Sequence, residues 1–359
     1  MRCIITSGLI PERQRNSNRL ELTNESARKQ LIPSSFVILG SCRYLSMNCD
    51  QNWHNFLCAL SMKYVHVHHN PGAGNEQHSK ESIISAIEKF GYNVSYTSTE
   101  EPIEAIPPEV ELLVVAGGDG TVRKVVDWML NYEALAPHQA VTILPLGTAN
   151  NIADTLDIRG DIDDIISAWR EPTIAPFQIG EVTFDDQRNF FLEGVGFGLF
   201  PFHIVQMRAR KAKSDLHSIP EKKESDLQHL LQNLKKVVPV HYDIQVDGKY
   251  ISGEFIMVEV LNTRSIGPNI KLSPRGQPID EWVELILVRE SEKTLLSKYI
   301  TNDFTKGSVP MGLTCLRGKE ILIKCAFSVF HVDGELVELT PKDTVTIASA
   351  WKSLPFLLT

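Results

Sequence analysis

At 359 residues the chain exceeds what one hydrophobic core usually organises, so two domains are expected. Its 43% hydrophobic and 22% charged residues are those of an ordinary globular protein, and a formal net charge of −8 argues against a nucleic-acid binder, which carries a basic excess. No run of about 18 apolar residues is present, so no transmembrane helix is expected, and the six cysteines form no Cys-x-x-Cys pair and read as reduced thiols of a cytoplasmic protein.

Residues 1–61 differ from the rest. They hold seven basic and four acidic residues, leaving 29 basic and 40 acidic ones beyond, and residues 11–30 show no apolar periodicity. The mildly apolar start runs into Pro11-Glu12-Arg13 too early for a secretory signal. Two readings stay open for this segment: a disordered extension, or a chain whose translation starts at Met62. From there regular alternation begins. Residues 64–68 predict a strand, 80–90 an amphipathic helix with Ile83, Ile84 and Ile87 on one face, and 94–97 a second strand. The apolar run 112–116 predicts a strand buried on both faces, followed by a helix at 122–130. Another buried strand at 141–144 precedes helices at 150–156 and 161–170. This alternation is that of an α/β open sheet, an N-terminal Rossmann-like domain over residues 62–172. Beyond it, short β-branched runs at 173–184, 190–193, 242–246, 255–261, 282–288, 320–325, 329–332 and 344–347 predict a β-rich, largely antiparallel sandwich domain over 173–336. A helical insert over about 202–237 interrupts it.

Chemistry concentrates in loops after the buried strands. Gly117-Gly118-Asp119-Gly120-Thr121 lets the backbone turn sharply, and its amides with the next helix N-terminus make a phosphate site. Asp119 sits where a carboxylate reaches a Mg²⁺ ion on those phosphates, and Thr121 offers a hydroxyl. Asn70-Pro71-Gly72-Ala73-Gly74 and Gly147-Thr148-Ala149-Asn150-Asn151 follow two other strands, so three loops converge at the carboxyl ends of one sheet. Taken alone, Asn70 reads as a turn-capping residue and Asp333-Gly334 as a hairpin turn. His66, His68 and His69 read as strand and loop histidines with satisfied hydrogen bonds rather than a metal site. Arg208, Arg210, Lys211 and Lys213 read first as a solvated helix face, with anionic lipid headgroups as the alternative.

With Pro145-Leu146, Gly194-Val195-Gly196-Phe197-Gly198, Leu261-Asn262-Thr263-Arg264-Ser265-Ile266-Gly267-Pro268-Asn269, Leu272-Ser273-Pro274 and Asp333-Gly334-Glu335 in the same order, the chain resembles the diacylglycerol kinase catalytic domain family from residue 62 onward. That family includes bacterial lipid kinases and is related to sphingosine and ceramide kinases and to the NAD kinase fold. The resemblance implies an ATP- and Mg²⁺-dependent lipid kinase serving phospholipid biosynthesis. ATP would lie across Asn70, Pro71, Gly72, Gly74, Gly117, Gly118, Gly120, Thr121, Gly147, Thr148 and Asn150. Asp119 would act with Mg²⁺, and Glu335 as base for a diacylglycerol-like hydroxyl. It also implies that residues 337–359 return to the first domain. The partner would be a lipid at a membrane surface, met peripherally, with no nucleic acid; a homodimer is left open.

Three departures stand out. Ala149 replaces a glycine, so a left-handed backbone there would be strained. Asn151 replaces a carboxylate. Asp280-Glu281-Trp282-Val283-Glu284 replaces an acidic turn where some members build a structural Mg²⁺ site, leaving Asp280 as its remaining metal candidate. An NAD kinase-like enzyme and a nucleotide-binding regulatory protein without catalysis are the alternatives. A dehydrogenase is disfavoured by the missing Gly-x-Gly-x-x-Gly after the first strand.

Overall fold

In the computed structural model the described residues are 62–358, except 77, 104–105, 133–134, 137, 211–218, 303–311, 327 and 341–343. The readings for residues 1–61, Lys211 and Lys213 lie outside them.

Strand β3 (Leu112–Gly117) is buried at every position, as a parallel strand covered on both faces must be. It pairs in parallel with β1 (Tyr64–His69) and β4 (Ala140–Pro145), and β2 (Asn93–Ser98) closes the edge beside β1. Parallel neighbours need crossovers, and helices supply them. Helix α1 (Lys80–Lys89) starts where the Ser79 hydroxyl accepts the Ser82 N–H at 3.2 Å, and it buries Ile83 and Ile87. Helix α2 (Asp119–Tyr132) leaves β3 directly and buries Val122, Val125, Val126 and Met129. After β4 come the single-turn α3 (Asn151–Thr155) and α4 (Ile162–Ala168), whose first turn is capped by the Asp161 side chain.

Two long strands carry the sheet onward. Strand β5 (Thr173–Phe184) runs antiparallel to β18 (Thr344–Leu358), with an irregularity between Ala348 and Lys352. One end of β18 lies beside β4, where Phe356 faces Val141; the other lies beside β15 (Glu320–Cys325), where Thr346 faces Leu322. Beyond β15 the sheet continues through β8 (Val240–Val246) and β9 (Lys249–Phe255), and β6 (Gln187–Phe191) pairs with β5. The run read as 344–347 is therefore the start of a much longer strand, its continuation hidden because Ser349, Lys352, Ser353 and Pro355 break the apolar pattern.

A second sheet has the order β14 (Thr314–Gly318), β13 (Val283–Val288), β10 (Met257–Leu261), β7 (Gly194–Gly198), β16 (Val329–Val332), β17 (Glu335–Glu338). The glycine-rich run at 194–198 is its β7 strand, buried throughout. Glycine is needed there for space: a Cβ on Gly196 would lie 2.0 Å from the carboxylate of Glu259 on β10. Alternation along β10 sends Val258 and Val260 into the sandwich with Phe197 and Phe330, whose rings stack at 5.2 Å. Met257 and Leu261 face the other way, onto α5 (Leu199–Arg210), α6 (Ile219–Leu234) and α7 (Lys293–Asn302). Covered on both faces, the central strands β10 and β13 read as continuous apolar runs, and α7 was missed because its moderate polarity resembles a loop.

The strand histidines are hydrogen-bonded to β2. His66 meets Ser95 and Thr97 at 2.9 and 3.0 Å, His68 meets Thr97 at 3.0 Å, and His69 meets Tyr96 at 2.9 Å. Burial, then the neighbouring His66 and His69, lower His68 to about 4; burial, then His229, lower His203 on α5 to about 4. Both are neutral in the fold, whereas the unfolded chain binds their protons below about 6.5. Their contribution to stability is therefore complete above about pH 6.5 and is lost as the pH falls toward about 4. Denaturant midpoints measured across that window should fall, and His68→Gln with His203→Gln should flatten the decline.

Candidate active site

The three glycine-containing loops meet at the carboxyl ends of β1, β3 and β4. Gly118 and Gly147 touch: a Cβ on Gly147 would lie 2.5 Å from the Gly118 Cα, so the loops approach only because both lack side chains. Asn70 does more than cap its turn. Its Oδ1 accepts the Gly72 N–H at 3.2 Å, and its Nδ2 donates to the Thr121 hydroxyl at 3.2 Å, tying the first loop to α2. The strain expected at Ala149 is absent; the left-handed residue is Asn150, at φ 53°. Asparagine tolerates that conformation, and its side chain secures the turn by accepting the Gly147 N–H at 2.9 Å and donating to the Pro145 and Gly147 carbonyls.

Asp119 opens α2 and also caps α3, accepting the Asn151 and Ile152 N–H groups at 3.0 Å each. Burial raises its pKa, the two amides oppose the rise, and the Asp333 charge adds to it. Asn151 is 2% exposed; its Nδ2 donates to Glu193 Oε2 at 2.8 Å and to the Gly267 carbonyl at 3.2 Å, while its Oδ1 has no hydrogen-bond partner. Burial, then the Asp119 and Asp333 charges, push Glu193 well above the usual carboxylate range.

Asp333 forms the β16–β17 turn with Gly334, both at positive φ, as a two-residue hairpin demands. The turn reading was incomplete, because the carboxylate points inward. It accepts the N–H groups of Leu192, Glu193 and Gly194 at 2.8–2.9 Å and pairs with Arg123 of α2. Arg123 also donates to the Phe190 carbonyl and to Asn189 Oδ1. The β11 (Ser265–Ile266) and β12 (Ile270–Lys271) hairpin grips α3 from the other side: Arg264 N–H donates to the Thr155 hydroxyl at 3.0 Å, and Arg264 pairs with Asp157. Sequence reasoning missed Arg123, Glu193 and the inward role of Asp333, since each acts through partners between 42 and 210 residues away in the chain.

Two adjoining cavities result. The larger, about 730 Å³, is lined by Asn70, Gly72, Gly74, Gly118, Thr121 and Gly147 among others. The smaller, about 440 Å³, has Phe200, Ile204, Met207 and Ile266 on one side and Asn151 and Glu193 on the other. Gly120, Thr148, Asp333 and Glu335 line both, and Asp119 lines the smaller. Of the residues expected to bind nucleotide, Pro71, Gly117 and Asn150 shape the loops without lining either cavity. Glu335 reaches the common wall, but its side chain is 71% exposed and pairs with Arg208 at 2.7 Å. Arg208, its side chain still half exposed, lines the smaller cavity.

The oxygen-only donor set suits Mg²⁺, which needs one or two protein ligands when phosphates supply the rest. Asp119, which lines the cleft, would hold it, and the ion would neutralise charge on transferring phosphate. Among the described residues no three ionisable ligands gather to form a cage. Asp280 does not join the cleft. Its Oδ2 faces Arg317 at 2.6 Å and its Oδ1 accepts the Trp282 N–H at 2.9 Å. Glu284 is likewise filled by Ser273 Oγ and by the N–H and guanidinium of Arg275. Protein donors stand where a structural cation would bind, so the residues there do not fit one.

Residues 64–182 match the diacylglycerol kinase catalytic domain, and residues 205–355 match the YegS C-terminal NAD kinase beta sandwich-like domain. The chain is 26% identical over 249 residues to a diacylglycerol kinase of Bacillus subtilis (strain 168), covering 64% of this chain and 75% of that one. It is also 26% identical over 249 residues to a diacylglycerol kinase of Staphylococcus aureus (strain bovine RF122 / ET3-1), covering 67% and 75%. A crystal structure of a diacylglycerol kinase from Bacillus anthracis str. Sterne superposes with a TM-score of 0.60 at 18% identity, over 84% of this chain and 98% of that one, and shares its fold. The domain match and these relatives mark an enzyme of the lipid kinase class. Residues 64–182 carry the diacylglycerol kinase catalytic domain, followed by the YegS C-terminal NAD kinase beta sandwich-like domain.

Removing the Asp333 charge should leave Arg123 unmatched and three amides without their acceptor. Asp333→Ala is expected to cost about 3–5 kcal/mol, read from chemical denaturation. EDTA without nucleotide should leave the melting temperature unchanged, because Arg275 and Arg317 already occupy the acids of the second sheet.

Proposed function

We propose that this enzyme transfers the γ-phosphate of ATP to the hydroxyl of a diacylglycerol-like lipid. The observation that carries the reading is the pair of cavities with a common wall. The larger is polar and glycine-lined, suited to a triphosphate whose oxygens take backbone N–H groups and the α2 N-terminus. The smaller has an apolar side, suited to a lipid tail, facing carboxylates suited to a hydroxyl. Phosphoryl transfer needs little covalent participation from the protein, so catalysis rests on positioning and charge neutralisation across that wall.

Asp119 orients the boundary by fixing the start of α3 against the glycine loop, and would act with the nucleotide's Mg²⁺. The acceptor would arrive from a membrane surface met peripherally. Among the described residues no helix is long and apolar enough to cross one.

A radiolabelled transfer assay tests the reading, using protein from Met62 onward, ATP, Mg²⁺ and mixed micelles of diacylglycerol, monoacylglycerol or a sphingoid base. Label should enter diacylglycerol, and Asp119→Ala should reduce turnover by about 100-fold or more. ATP binding with no labelled lipid would instead favour a regulatory nucleotide-binding protein.

A further inference from the structure

Resting on the lipid-kinase reading, a second feature of the cleft points to how the acceptor hydroxyl is held. The loop after β4 ends in Asn151 where the family pattern has a carboxylate. The structure places a different carboxylate against that residue: Glu193, at the junction of β6 and β7, accepts from Asn151 Nδ2 at 2.8 Å. Among the described residues this is the only hydrogen bond to the Glu193 side chain, which faces the smaller cavity. Asn151 lines the same cavity, and its buried Oδ1 has no partner. A nearly buried amide oxygen left unsatisfied beside an uncommitted carboxylate oxygen makes a site for a ligand hydroxyl or its ordered water.

The backbone of Glu193 is held on both sides. Its N–H donates to Asp333 Oδ1 at 2.9 Å. Its carbonyl accepts the Asn262 N–H at 2.8 Å, and Asn262 Nδ2 bonds the Leu192 and Gln178 carbonyls. Such anchoring is what a substrate-binding carboxylate requires. Glu335, by contrast, is mostly in water and matched by Arg208.

We propose that Glu193 supplies the carboxylate that position 151 lacks, and that it binds the acceptor hydroxyl. As the hydroxyl oxygen bonds to the γ-phosphorus, the bond from that phosphorus to the bridging oxygen breaks and releases ADP. The hydroxyl proton passes to Glu193. The Asn151–Glu193 pair is thus an exchange of position, with the acid moved from the α/β side of the cleft to the β-rich side.

The test is a four-way comparison of wild type, Glu193→Gln, Asn151→Asp and Asn151→Asp/Glu193→Gln, in kcat, KM for ATP and melting temperature. Glutamine is isosteric and still accepts from Asn151, so Glu193→Gln should fold, keep its KM for ATP, and lose about 100-fold or more in kcat. Asn151→Asp alone sets two carboxylates face to face and should lower the melting temperature. The double variant restores one acid and one amide with roles reversed, and should recover both the melting temperature and at least about a tenth of wild-type kcat, a rescue that a purely structural role would not give. Wild-type kcat in Glu193→Gln overturns the proposal, as does a double variant that melts like wild type yet stays as slow as Glu193→Gln. Wild-type protein that labels no lipid overturns the lipid-kinase reading along with it.

Discussion

One inward-pointing carboxylate organises the cleft. Asp333 accepts three consecutive amide N–H groups and pairs with Arg123, so a single charge locks the β6–β7 junction to the hairpin and to α2. Charge-assisted bonds of this kind are short and directional, and a buried acid that loses them keeps its desolvation cost without compensation. The same residue must also adopt a left-handed backbone for the two-residue turn, which aspartate tolerates better than most side chains. Turn chemistry and cleft chemistry therefore coincide, and neither of the two adjoining cavities has its geometry without them.

The α/β half was legible because its signals are local. Buried runs at 112–116 and 141–144 and the loops after them carry their meaning within a few residues, and the structure brings those loops together. The β-rich half was legible in kind but not in detail. Strand β7 was hidden by glycines required for space against Glu259, and most of β18 by a polar, proline-containing stretch. The cleft was legible on its glycine side and obscure on its acidic side. Nothing local distinguishes Glu193 from any glutamate before a glycine. Its significance comes from Asn151, 42 residues away, and from two anchors, Asp333 in the β16–β17 turn and Asn262 just past β10. The expected strain at Ala149 failed for a related reason: the loop moves its left-handed position one residue on, to an asparagine whose amide can hold the turn.

Charge in the cleft is unevenly matched. Beyond burial, the Asp333 charge raises Asp119, and the Asp119 and Asp333 charges both raise Glu193, while Arg123 is bonded to Asp333 alone among them. Burial and like charge act in the same direction on Glu193, and the amide of Asn151 offsets only part of it. A carboxylate at position 151 would add another like charge 2.8 Å from Glu193, which gives a physical reason for the asparagine in this chain. Asn151 is thus explained by its surroundings rather than by loss of function: the departure at 151 and the presence of Glu193 are one electrostatic solution.

The two halves of the cleft are joined by continuous strands. Strand β18 passes from beside β4 to beside β15, and β5 pairs with it over both stretches, so sheet hydrogen bonds extend from one half into the other. The side walls are then fastened at two points, by Arg123 with Asp333 and by the β11–β12 hairpin on α3. Between those fastenings lie Asn151 and Glu193, one contributed by each half. A contact of 2.8 Å across such a boundary persists only if both backbones are held, and both are: Asp119 holds the Asn151 N–H, while Asp333 and Asn262 hold the two sides of Glu193. The precision of the Asn151–Glu193 contact follows from the same constraint that closes the fold.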